Sequence, residues 1–199
     1  MLYPTLNNYL THLQTTFDRI PAERKAVLRT LTDYLKHPQA AVIVICTHNS
    51  RRSHFGQVWL QVAAAYFGHD AVRVFSGGTE ATQVAPPVLE TLQQAGFRIE
   101  EEAEAHKLYF DDKQPPLRLF SKRFDSPENP QQDFAAVLVC AEADAACPVV
   151  SGAELRIRLP YDDPKIFDQT PNVNAAYQNT SEQIAREMLW AVAQLSSNF

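Results

Sequence analysis

Cys46-Thr47-His48-Asn49-Ser50-Arg51-Arg52-Ser53 has the form of a cysteine, five residues, then arginine and serine. Chemistry explains that spacing. A loop of this length, leaving a parallel strand and entering a helix N-terminus, can aim consecutive backbone N–H groups into one concavity, where the helix dipole adds partial positive charge. Arg52 can close such an anion cradle with a planar guanidinium fork suited to a tetrahedral oxyanion, a task lysine performs less well. The same field favours the thiolate form of Cys46, which is the nucleophilic form. Ser53 can donate a hydrogen bond to that sulfur. The competing reading is a buried cysteine at a strand end, with Arg51 and Arg52 merely solvated. The agreement of strand, cysteine, arginine, serine and following helix counts against it.

The flanking sequence supplies the elements such a loop needs. Ala41-Val42-Ile43-Val44-Ile45 is a short, continuous, β-branched apolar run, the pattern of a strand buried on both faces of a parallel sheet. From His54 to Phe67, Phe55, Val58, Trp59, Val62 and Tyr66 recur at helical spacing, and Gly68 terminates the helix. Val72-Arg73-Val74-Phe75 is a second strand, ending in Ser76-Gly77-Gly78-Thr79, and Pro86 to Ala95 reads as a helix capped by Gly96. Phe134 to Cys140 repeats the buried-strand pattern, and Leu155 to Leu159 alternates like the outermost strand of a sheet. A last helix runs from roughly Ala175 to Leu195. This alternation predicts a doubly wound α/β domain that binds ligands at the carboxyl ends of its strands. Three such ends matter: Cys46, Cys140 and Tyr161-Asp162-Asp163.

Two stretches are less directly tied to that scheme. Leu6, Leu10, Leu13, Phe17 and Ile20 fall on one helical stripe, and Pro21 opens a second run through Val27, Leu28, Leu31 and Leu35 that His37-Pro38 closes. The segment from Glu100 to Asp133 is polar and proline-rich, with a strand candidate only at Leu117 to Ser121.

Composition narrows the function classes. With 45% hydrophobic and 21% charged residues in 199, the chain is ordinary globular material, long enough for a full core. A net charge of −5 argues against nucleic acid and anionic membrane as partners, since no basic patch offsets it. The longest apolar stretch, Ala40 to Cys46, is too short to span a bilayer, and Met1 to Thr5 lacks the basic start of a secretion signal. The expected compartment is the cytoplasm. Three cysteines fit reactive or buried thiols in a reducing compartment better than a disulfide framework.

Cys46 to Ser53 resembles the phosphate-binding loop of low-molecular-weight tyrosine phosphatases and of the thioredoxin-coupled arsenate reductases that share their fold. Asn49 falls where the family has an asparagine that holds the loop in shape, and Ser76-Gly77-Gly78-Thr79 resembles its Ser-Ala-Gly-Thr segment. The resemblance runs from about Val42 to the C-terminus. It implies a doubly wound, mostly parallel four-stranded α/β sheet with helices on both faces over residues 41–199, preceded by a helical extension over residues 1–40. It also implies that Thr47, His48, Asn49, Ser50 and Arg51 line the oxyanion. The chain departs from the family at His48, where glycine is common, at Arg51, where cysteine is common, and at Gln57, where reductases often have glutamate. In some reductases that glutamate helps hold potassium; the ion is not carried over, and neither a metal nor a cofactor is expected.

A thiolate that displaces oxygen from phosphorus or arsenic needs a proton delivered to the leaving oxygen. The family's donor is an aspartate followed by proline, and Asp163-Pro164 matches it, with Asp162 the neighbouring alternative. Alone, Asp-Asp-Pro reads as a turn. Cys140 and Cys147, with Pro148 after them, resemble the Cys-x2-Ala-Asp-x2-Cys-Pro stretch of the reductases. That resemblance implies a relay in which arsenate condenses with Cys46, Cys140 attacks that sulfur, and Cys147 then takes the disulfide for thioredoxin to reduce. Two structural cysteines, or a backdoor cysteine that protects the nucleophile from over-oxidation, are the alternatives. Phosphatases commonly follow the acid with aromatics, whereas Lys165-Ile166 stand here; Phe167 and Tyr161 are left as candidate rim residues. The expectation is an arsenate reductase, with a phosphotyrosine phosphatase as the alternative and a silent binding module third.

Overall fold

The computed structural model describes residues 2–146 and 149–196, so Cys147 lies outside the described residues. In chain order they form α1 (Pro4–Gln14), α2 (Ala22–Leu35), β1 (Ala41–Cys46), α3 (Arg52–Tyr66), β2 (Arg73–Gly78) and α4 (Pro86–Ala95). There follow β3 (Arg98–Glu101), β4 (His106–Tyr109), β5 (Leu117–Leu119), β6 (Phe134–Leu138), α5 (Ala141–Ala146), β7 (Ala153–Arg158) and α6 (Val173–Ala193).

Every residue of β1 is buried, because the strand is central in a four-stranded sheet of order β2-β1-β6-β7 whose three pairings are all parallel. The apolar run thus reports its own position. β7, which alternates, is at the sheet's edge as its pattern predicts. Helix α3 packs between this sheet and α6, and the fully buried Trp59 fixes the seam by donating from Nε1 to the Ser181 hydroxyl at 2.9 Å. Leu6, Leu10 and Leu13 of α1 and Leu28 and Leu31 of α2 enter the same hydrophobic cluster as β1.

Four features differ from the sequence reading. The stripe from Leu6 to Ile20 is not one helix: α1 ends at Gln14 and a 3-10 turn takes Phe17–Arg19. The hydroxyls of Thr15 and Thr16 donate to the carbonyls of His12 and Leu13 at 2.7 Å each, a local alternative to further helix. Residues 98–119 hold an antiparallel sheet of order β3-β4-β5, of which the sequence showed only the last strand. Strands of four, four and three residues with one buried position in each of β4 and β5 leave no run to detect. Helix α5, six residues long, is too short for periodicity to announce, and β6 stops at Leu138, short of Cys140.

Candidate active site

The segment after β1 is shaped by what holds its carbonyls. Thr79 N–H donates to the Cys46 carbonyl at 3.2 Å, Glu80 N–H to that of Thr47 at 2.8 Å, Ala85 N–H to that of Ser50 at 3.0 Å and Phe55 N–H to that of Arg51 at 3.1 Å. The His48 carbonyl accepts from the hydroxyls of Thr82 and Ser121 at 3.0 and 3.2 Å. The Asn49 carbonyl lies 2.8 Å from His54 Nε2. With no cis peptide among the described residues, each N–H points opposite to the carbonyl of its own peptide plane. The amides of residues 47–52 therefore face away from those partners, as an anion cradle requires.

Asn49 holds the turn at φ 44°, in the left-handed region that asparagine tolerates better than branched residues. Fully buried, its amide accepts from Lys122 N–H at 2.8 Å and donates to Ser53 Oγ at 2.9 Å. Ser53 Oγ lies 3.1 Å from Cys46 Sγ; since the serine oxygen already accepts from Asn49, its own proton is free for the sulfur. His54 completes the back of the loop. A carbonyl at Nε2 places the ring proton there, so Nδ1 accepts from the Ser76 hydroxyl at 3.3 Å. Burial, with Lys122 nearby, pushes this imidazole down to about 3, so it stays neutral. Sequence reasoning found Asn49 and Ser53, and marked Ser76 only through the resemblance without its bond to His54, but missed His54, Thr82 and Ser121, whose roles depend on how separate segments meet.

Arg52, at the start of α3, reaches the third strand end. It donates to the Tyr161 carbonyl at 2.9 Å and to Asp163 Oδ2 at 2.6 Å, while its buried Nε has no hydrogen-bond partner among the described residues. Asp163 also accepts from Lys165 N–H at 3.0 Å and caps a 3-10 turn over Pro164–Phe167. It is thus both a turn former and a group facing the loop, whereas Asp162 is exposed. Tyr161 is not a rim residue: it is buried, and its hydroxyl donates to Glu187 at 2.7 Å. Phe167 is 38% exposed and lines, with Asp162, Asp163 and Ile166, a cleft of about 700 Å³ between this segment and α6. His48 stands half-exposed at the mouth, its Nε2 3.9 Å from Glu80. Arg51 is drawn elsewhere, to Tyr177 and Asp168.

Cys140 is fully buried beyond the end of β6. Its Sγ accepts from Ala143 N–H at 3.3 Å and lies 3.4 Å from the Thr47 hydroxyl, so one loop residue touches the second cysteine. Gln57 Oε1 is buried without a partner among the described residues, and no group of three potential metal ligands is found among them. No described helix is long and apolar enough to cross a membrane.

No protein-family profile matches the chain. An arsenate reductase of Brevibacillus brevis is 28% identical over 123 residues, covering 62% of this chain and 75% of that protein. One from Staphylococcus epidermidis is 27% identical over 123 residues, 62% of this chain and 77% of its own. Among solved structures, an arsenate reductase from Archaeoglobus fulgidus matches with a TM-score of 0.51 at 17% identity, covering 76% of this chain and 98% of that one. A low-molecular-weight protein tyrosine phosphatase from Bacillus subtilis gives 0.53 at 15% identity, covering 79% and 98%. With the four-stranded parallel sheet and its helices, these likenesses support the resemblance to the superfamily of low-molecular-weight tyrosine phosphatases and arsenate reductases. Both named classes are enzymes.

Proposed function

We propose that the chain reduces arsenate to arsenite, with Cys46 as nucleophile and Cys140 and Cys147 as a relay to a thioredoxin-class dithiol. The observation that carries this reading is Cys140 Sγ, held beside the oxyanion loop at 3.4 Å from the Thr47 hydroxyl. Hydrolysis of a phosphate ester does not itself need a thiol there, although one could protect the nucleophile from over-oxidation. The unpartnered Arg52 Nε supplies a donor for the oxyanion, together with the loop amides.

Arsenate condenses with the Cys46 thiol and water departs, its oxygen protonated by Asp163. The Cys140 thiolate then attacks Cys46 Sγ. As the sulfur–sulfur bond forms, the sulfur–arsenic pair stays on arsenic, which leaves as arsenite reduced by two electrons. The Cys147 thiolate displaces Cys46 from that disulfide, and the external dithiol reduces the resulting bond. The relay requires the segment between the two cysteines to bring their sulfurs within disulfide reach.

The Asp163 carboxylate beside Arg52 also supports the second reading, hydrolysis of phosphotyrosine through a phospho-cysteine. One substitution separates the two. Cys140→Ser is expected to abolish thioredoxin-coupled arsenate turnover and leave aryl-phosphate hydrolysis within about twofold of wild type. Arsenate turnover that survives this change rules out the relay. Cys46→Ser is expected to end both activities.

A further inference from the structure

Two adjacent arginines grip the acid loop, residues 161–168, at different ends. Arg52 takes the Tyr161 carbonyl and the Asp163 carboxylate. Arg51 takes the far end: its Nε donates to the Tyr177 hydroxyl at 2.6 Å and its Nη2 to the Asp168 carboxylate at 3.1 Å. The Tyr177 hydroxyl closes the triangle by donating to Asp168 at 2.8 Å. The Arg51 side chain is only 14% exposed, and Tyr177 is fully buried on α6. Burial pushes the Tyr177 hydroxyl up to about 12, so it remains a neutral donor in the working range.

The two grips differ in what competes for them. On the reading of the site proposed above, an oxyanion in the loop needs the Arg52 guanidinium and so draws it from Asp163. The partners of Arg51 are a second carboxylate and a buried phenol, which an oxyanion at Cys46 does not replace. We propose that Arg51 is a positioning residue whose bonds to Asp168 and Tyr177 keep the acid loop seated on the oxyanion loop while Arg52 turns to the substrate. Asp163 then stays within reach of the leaving oxygen. A cysteine at this position, as the resemblance would have placed there, is too short for such a tie and carries no fork to share between two oxygens.

The first test needs no turnover. In full-length Arg52→Ala, the seating of the loop depends on Arg51, so amides from Lys165 to Thr170 are expected to exchange hydrogen slowly. Adding Arg51→Gln or Asp168→Asn is expected to speed their exchange at least tenfold while β1 amides stay unchanged, which shows that the fold persists. Unchanged loop exchange overturns the proposal.

The second test reads the proton transfer. When the sulfur–phosphorus bond forms and the phosphorus–oxygen bond breaks, the proton of Asp163 passes to the departing oxygen, a need that is greater for phenol than for 4-nitrophenol. Arg51→Gln and Tyr177→Phe are expected to lower kcat/KM for phenyl phosphate at least tenfold more than for 4-nitrophenyl phosphate, with partial recovery in Arg51→Lys. Equal losses on both substrates reduce Arg51 to a structural role and overturn the proposal. A wild-type protein that hydrolyses neither ester sinks the hydrolytic reading instead, and the exchange measurement still decides the role of Arg51.

Discussion

Asn49 adopts a left-handed backbone, donates to Ser53 and accepts from the backbone of Lys122. Alanine there would lose both bonds and leave a buried donor and acceptor unmatched, a cost of about 1–3 kcal/mol. Asn49→Ala is expected to lower kcat at least tenfold and to reduce the unfolding free energy by roughly that amount, measured by denaturant titration. His54 makes a separate prediction through pH. Its imidazole is held down to about 3 in the folded protein against an ordinary 6.5, so between those values the unfolded chain binds the extra proton. The stability it supports is complete above pH ~6.5 and falls as pH drops toward 3, with a limiting slope of about 1.4 kcal/mol per pH unit. Subtracting the profile of His54→Gln from that of wild type should isolate this slope; identical profiles would contradict it.

At the scale of elements, the loop is closely fitted to the end of β2. A Cβ on Gly78 would stand 2.7 Å from both Asn49 N and the Thr47 carbonyl, and closer still to the Glu80 carbonyl. All three are backbone atoms, two of them in the loop itself, so nothing can move aside without reshaping the cradle. Gly78→Ala is expected to weaken phosphate binding at least tenfold and to cost about 1–3 kcal/mol of stability, read by calorimetry and thermal unfolding. The antiparallel β3-β4-β5 sheet belongs to the same scale. It leads into Ser121 and Lys122, which bond the backs of His48 and Asn49, so the polar stretch that the sequence left largely unassigned braces the loop. Helix α5 is tied to β7 by Asp144, which pairs with Arg156 and, at 2.8 Å, with Arg158.

Across the whole molecule, the N-terminal helices connect to the site through an ion pair whose carboxylate is buried. Arg24 of α2 donates to both oxygens of Glu187 at 2.6 and 2.7 Å and to the Pro160 carbonyl at 3.1 Å. Its guanidinium lies over the Tyr161 ring at 4.7 Å. Glu187 also accepts from Tyr161, whose carbonyl holds Arg52, so α2, α6 and the acid loop share one network. Arg24→Met leaves the 2%-exposed Glu187 without its cation and is expected to cost about 3–5 kcal/mol, while the double variant with Glu187→Met recovers most of it. Thermal unfolding of the three proteins checks this, and a silent single variant would refute the network's weight.

The sequence alone was enough to mark the loop after β1 and the parallel strands that flank it, and with the family resemblance it picked out the aspartate that faces that loop. Each of those is a local pattern: a fixed spacing, a β-branched run, a dipeptide at a strand end. The folded chain decided which carbonyls are tied back, that His54 and Lys122 stand behind Asn49, that Tyr161 faces the core, and that Arg51 binds Asp168 and Tyr177. Those facts join residues up to 126 positions apart, and such pairings depend on how the elements pack, which no stretch of sequence records by itself.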